Sequence, residues 1–256
     1  MQTLEKKLAT TISALKEEKQ KYLLELVDKM ILEELEEQKK FTDSLEKPLY
    51  EEKSSYNADD ILAIVNQFPK DKLWTFADLD NELIFPNDLM VKIEILDYKI
   101  YVMSNPTPIH QEILTNISAH LSIFVRQNKL GKTYVAPVSV HINDKNSVEP
   151  DIIFVIKKDV EKVTDKGIDF APSLVIEVIS PANYKKLREK KKQQYADFGV
   201  LEYWEVYPNK KQIKIDTLSE DEEGKAVYTL FSSATKKGIV KSNVLEGFEL
   251  DLENVF

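Results

Sequence analysis

Apolar residues recur at helical spacing from the start of the chain: Leu4, Leu8, Leu15 and Tyr22, then Leu24, Val27, Ile31 and Leu35. Glu and Lys fill most places between them, and no Gly or Pro occurs before about Phe41. Steps of three and four place such residues on one face, which predicts an amphipathic helix or helical hairpin packed on the rest of the chain or on a second copy. The heptad is not sustained long enough for an extended coiled coil. Residues 42–57, TDSLEKPLYEEKSSYN, are polar, contain Pro48 and read as a linker. Asn57 is placed to cap a short helix from Asp59 to Val65 that ends before Pro69.

The period then changes. In VKIEILDYKIYVM, Val91, Ile93 and Ile95 alternate with Lys92 and Glu94, the pattern breaks at Asp97, and it resumes from Ile100 to Met103, which predicts a β-hairpin. Pro106 and Pro108 close a loop before a helix to about Gln127, whose His110, Ile113, Leu114, Ile117, Leu121 and Phe124 share one face. After Gly131 come the short strands YVAPVSVHI, PDIIFVI and LVIEVIS. The last two are aliphatic at nearly every position, as central strands covered by helices are. The helix YKKLREKKKQQYADF stops at Gly199, EYWEVY and KQIKIDTL are further strands, and SEDEEG is a hairpin loop. The expected class is α/β (α+β): a mixed sheet flanked by helices, with an N-terminal helical extension and linker over 1–55 and the main domain over 56–256.

At 256 residues and 43% hydrophobic content, the chain is long enough to bury a real core. It has no cysteine, which excludes disulfides and thiolate zinc sites and fits a reducing, cytoplasmic setting. No segment approaches the length of a membrane span. A net charge of −9 argues against binding nucleic acid by bulk electrostatics, so such a partner would need a local basic patch. The dense candidate is KKLREKKK, with Lys185, Lys186 and Arg188 as candidate phosphate contacts.

Two carboxylates interrupt the aliphatic strands, Asp151 at the head of one and Glu177 in the middle of the next. A lone ionised carboxyl among aliphatic neighbours costs several kcal/mol unless a positive or hydrogen-bonding group meets it. Adjacent strands would bring the two together, where a divalent cation relieves their repulsion; oxygen ligands without cysteine favour Mg²⁺ or Mn²⁺. On the following helix Leu187, Lys191, Tyr195 and Phe198 form the stripe that faces the sheet, so Lys191 points inward. Taken singly, Asp151 could end a strand, Glu177 could pair with Arg188 or a lysine, and Lys191 could snorkel to solvent. An inward Asp, Glu and Lys together recommend a site.

These segments resemble the Uma-two family, bacterial endonuclease-like proteins on the PD-(D/E)XK nuclease fold. The resemblance covers roughly 58–256 and is carried by IEILDYKIYVMS with PIHQ, PDIIFV, LVIEVISP, KKKQQYADFGVLEYW and VLEGFELDL. It implies a restriction-endonuclease-like core, Mg²⁺-dependent phosphodiester hydrolysis of nucleic acid, DNA before RNA, and often a homodimer. It matches Asp151 to the Asp of the PD motif, Glu177 to the acid of the next strand and Lys191 to a lysine moved onto the helix. The general nuclease pattern would put that lysine at Ile179. Glu94, as a further metal ligand, and His110, in support, also match, although Glu94 reads equally well as an exposed strand residue. Tyr98 stands where a Gly is common and Tyr207 where an Asp is. The leading expectation is a metal-dependent nuclease. The alternatives are a nuclease-fold binding or interaction module without turnover, and a hydrolase of small phosphorylated molecules.

Overall fold

The structure, a computed structural model, describes residues 4–86, 91–103, 105–180 and 185–256. Met1 and Tyr184, where two helices were expected to begin, lie outside the described residues, as do Ser104 and Pro181 of the quoted segments. In chain order the elements are helices α1 (Leu4–Ser13), α2 (Glu17–Asp43), α3 (Ala58–Val65) and α4 (Phe76–Leu79), strands β1 (Lys92–Leu96) and β2 (Lys99–Met103), then helix α5 (Pro108–Gln127). Strands β3 (Gly131–Val135), β4 (Val140–Asn143), β5 (Asn146–Val148), β6 (Ile152–Ile156) and β7 (Leu174–Val178) precede helix α6 (Lys185–Phe198). Strands β8 (Glu202–Tyr207), β9 (Gln212–Glu220), β10 (Ala226–Thr235), β11 (Ile239–Lys241) and β12 (Glu249–Asp251) complete the chain.

A six-stranded mixed sheet in the order β10-β9-β8-β7-β6-β3 forms the centre. Strands β6 and β7 are antiparallel neighbours, whereas β7 and β8 are parallel and need a crossover, which α6 supplies. Alternation along the strands sorts the two faces. Ile152, Phe154, Ile176, Val178, Trp204 and Val206 pack in one core with Ile113, Leu114, Ile117 and Leu121 of α5. Ile153, Val155, Val175 and Tyr203 pack in another with Tyr195 of α6 and Leu96 of β1. Both faces of β6 and β7 are therefore covered, and any polar residue pointing toward α6 is enclosed.

A second sheet, β2-β1-β5-β4, brings the hairpin against the α6 side. Its Asp97 and Tyr98 both take positive φ, 48° and 59°, the tight turn a hairpin of this length requires. Tyr98 adopts the conformation a Gly would reach without steric cost. YVAPVSVHI is two strands rather than one: β3 joins the central sheet and β4 the second, with a cis Ala136–Pro137 peptide between them. Pro108 is the first residue of α5 rather than part of the loop, and Thr107 caps the helix by accepting the His110 N–H at 3.3 Å. The N-terminal helical segment is two helices, and the polar stretch after it packs on the domain: Tyr56 is buried, with Leu45, Leu49 and Tyr50 against the same core.

Candidate active site

Period-two alternation puts Lys92, Glu94 and Leu96 on one face of β1, opposite Ile93 and Ile95. Because β1 packs over α6, that face is interior, and Glu94 is fully buried rather than exposed. Asp151 follows Pro150 at the head of β6; Glu177 lies one strand over in β7, and Lys191 and Tyr195, one helical turn apart, descend on them from α6. His110, in the first turn of α5, reaches the same place from the opposite side of the sheet.

Lys191 is the hinge of the cluster. Its Nζ donates to Glu94 Oε1 at 2.5 Å and lies 2.7 Å from Glu177 Oε1. The Tyr195 hydroxyl donates to the same Glu177 oxygen at 2.8 Å. Asp151 Oδ2 accepts the Val178 backbone N–H at 2.7 Å and lies 3.4 Å from His110 Nε2. Lys92 Nζ sits 3.4 Å from Asp151 Oδ1 and 3.6 Å from Glu94 Oε1. Glu94 Oε1 also accepts the Glu149 N–H at 2.9 Å, while its Oε2 is buried without a hydrogen-bond partner among the described residues.

The electrostatics follow from four carboxylates sharing two ammonium groups. Burial opposes the charge on Lys92, but Glu94, Asp151 and Glu177 hold its pKa above the usual value. Burial pushes Asp151 upward, and Lys92 with the His110 hydrogen bond more than offsets this, leaving it well below the carboxylate range. Glu94 is lowered too, because Lys191 and Lys92 outweigh its burial. Glu177 goes the other way: burial, together with Asp151 and Glu94, raises it despite the lysines. Burial keeps Tyr195 a phenol, with Glu177 adding to the effect.

Glu149 carries the excess. Burial, against the pull of Lys92, raises it to about 7. A carboxyl whose folded pKa exceeds its unfolded one binds more protons when folded, so stability is lost as pH climbs from the ordinary Glu range toward 7. Glu149→Gln is therefore expected to gain about 2 kcal/mol over the parent at pH 8 in EDTA, and almost nothing at pH 4. Urea unfolding at the two pH values measures the difference, and an equal gain at both refutes the assignment.

Oxygen donors in excess of local cations, one of them an orphaned Glu94 Oε2, match the chemistry of a divalent hard cation. Among the described residues no three acids or imidazoles converge on a single point, because the ammonium groups of Lys191 and Lys92 stand between them. The donors are oxygens of the kind Mg²⁺ or Mn²⁺ takes, but with both amines in place they do not form a ready-made cation site.

The other expected residues lie nearby or apart. Lys185 is exposed and pairs with Glu189 at 3.5 Å, and Lys186 is exposed on the same turn. Arg188 pairs with Glu205 at 3.2 Å, not with Glu177, and stands over the Tyr207 ring. Lys192 joins this network through Glu205 and Asp216. Reading the sequence missed Lys92, Glu149 and the hydroxyl of Tyr195. Lys92 shares Glu94's alternation, and that signal becomes readable only once Glu94 is known to point inward.

The Uma2 family profile, described as "Putative restriction endonuclease", matches residues 77–253. The chain belongs to the Uma2 family. The match takes in all the acids and lysines above and leaves α1 and α2 outside it. The fold is similar to a crystal structure from Anabaena variabilis ATCC 29413, described as "a putative nuclease belonging to DUF820". The two share a TM-score of 0.53 and 14% identity, over 78% of this Uma2 chain and 97% of the other. No curated protein matches it. Among the described residues no helix is long and apolar enough to cross a membrane.

Proposed function

We propose that this Uma2 protein is a metal-dependent nuclease that hydrolyses phosphodiester bonds of nucleic acid, DNA before RNA. One observation carries the reading: Glu94 and Glu177, from strands of two different sheets, meet the inward Lys191, and Asp151 at the head of β6 joins them through Lys92, which lies near both Asp151 and Glu94, in a single enclosed cluster. A purely structural use of these groups would be wasteful, since apolar side chains of similar volume usually stabilise an interior as well as or better than buried ion pairs. Asp151 and Glu177 are the proposed ligands of Mg²⁺ or Mn²⁺, with Glu94 Oε2 as a third oxygen. Bound there, such an ion supplies Lewis acidity toward a phosphoryl oxygen and makes a water more acidic.

The chain's own residues do the rest. Tyr195 fixes the rotamer of Glu177 through its 2.8 Å hydrogen bond, and the Val178 N–H with His110 fixes that of Asp151. Lys191, freed from one carboxylate, holds a water by hydrogen bond or meets charge developing on the phosphate. Lys92 keeps Asp151 and Glu94 ionised as ligands. Lys185 and Lys186 offer exposed positive charge at the start of α6 for the phosphate backbone. The test is incubation of purified protein with plasmid DNA, single-stranded DNA and RNA in Mg²⁺, Mn²⁺ or EDTA. Cleavage that needs the metal is expected; intact substrates in every condition count against the proposal.

A second reading keeps the fold without turnover. It is favoured by the two ammonium groups already paired with the acids. Calorimetric titration separates them: the nuclease reading expects one Mn²⁺ site lost in Glu177→Gln, and the silent module expects none in either protein.

A further inference from the structure

Helix α2 has two unlike faces. Ile31, Leu35 and Gln38 are partly buried and Thr42 is buried, and Gln38 Oε1 accepts the Leu73 N–H at 3.1 Å, so the C-terminal part of this side rests on the domain, while Leu24 farther up it is 61% exposed. Roughly 150° around the helix, at the usual 100° per residue, Tyr22, Leu26 and Met30 form a stripe at i, i+4 and i+8. They are 65%, 41% and 60% exposed, and Val27 on the flank is 48% exposed. Lys19 continues the stripe at one end and Glu33 at the other.

We propose that this stripe is the contact between two copies of the chain, with α2 lying antiparallel to its counterpart and Leu26 on the two-fold axis. That register sets Tyr22 opposite Met30 of the second copy and Lys19 opposite Glu33 of the second copy, each twice, as an isologous interface requires. A parallel pairing would set Lys19 against Lys19 and Glu33 against Glu33, like charge on like. The area agrees. With roughly 200 Å² for each fully exposed large side chain, the four residues offer about 400 Å² of apolar surface. A standard interface buries about 800 Å² per partner, of which somewhat over half is apolar, about 450 Å². Acidic flanks, Glu18, Glu25, Glu34 and Glu37, make a lipid surface a poorer occupant than a second α2. Because the domain meets α2 on the opposite face, along its C-terminal part, the stripe is open to a second copy. The stripe lies in a segment outside the family match and does not depend on the nuclease site.

Sedimentation equilibrium of the full chain over a wide concentration series tests it. A monomer–dimer equilibrium is expected, with Leu26→Glu weakening dimerisation at least about tenfold while helicity by circular dichroism is retained. Lys19→Glu and Glu33→Lys are each expected to weaken it, and the double variant to recover it. Glu33 also lies 3.6 Å from the exposed Lys29, a pair of little energetic weight. A parent chain that stays monomeric overturns the proposal. So does a dimer indifferent to Leu26→Glu, or a double variant no better than either single one. Should Leu26→Glu lose helicity, the charge-reversal set decides alone.

Discussion

The Asp151→Asn protein is expected to fold like the parent and to lose at least about a hundredfold of its Mg²⁺-dependent phosphodiesterase activity. Asn keeps the shape and an oxygen able to accept the Val178 N–H, so the 2.7 Å bond that ties the head of β6 to the end of β7 survives. What goes is the negative charge, which Lys92 and His110 hold ionised far below neutral pH. A neutral amide is a much poorer ligand for a hard dication. Initial cleavage rates at saturating Mn²⁺, beside calorimetric metal affinity, check this. Undiminished cleavage by a folded Asp151→Asn protein would remove the residue from the site.

Lys191→Met is expected to be costly in a different currency, lowering stability by about 3–5 kcal/mol at neutral pH in EDTA. Its ammonium is shared by Glu94 and Glu177, both buried, and Met fills the volume without answering either charge. Glu177 already sits above the ordinary range from burial and like charges, and losing the lysine drives it further up and lifts Glu94 from its lowered value. Their protonation then repairs the defect, so the penalty should shrink as pH falls toward 4 and be full above neutrality. Added Mn²⁺ should recover part of the loss by supplying the missing cation. Urea midpoints at pH 5 and 8, with and without metal, measure all three effects. The same deficit at both pH values would mean that Lys191 acts through packing alone.

Much of the site was legible from local pattern. The aliphatic runs around Asp151 and Glu177 mark covered central strands, and helical spacing alone sends Lys191 to the buried side of α6 with Tyr195. Glu94 was ambiguous for a physical reason. Alternation shows that Glu94 and Ile93 face opposite ways, but not which way is out, and here both are covered: Ile93 by the core around Trp74, Glu94 by α6. Arg188 could have met either strand acid, and only the parallel register that sets Glu177 beside Glu205 decides that it takes Glu205.

By itself the sequence determined α3, the β1–β2 hairpin, α5, β6, β7, α6, β8 and β9, and the inward placement of two acids and one lysine, because periodicity and side-chain chemistry act over a few neighbouring residues. The tertiary structure alone decided that a second sheet would lie over α6 and turn Lys92, Glu94 and Glu149 into members of the same cluster. It alone split YVAPVSVHI between two sheets and left the Tyr22, Leu26 and Met30 side of α2 uncovered. Those outcomes depend on which surfaces meet across long stretches of chain, and no local pattern of hydrophobic and polar positions encodes the identity of the partner surface.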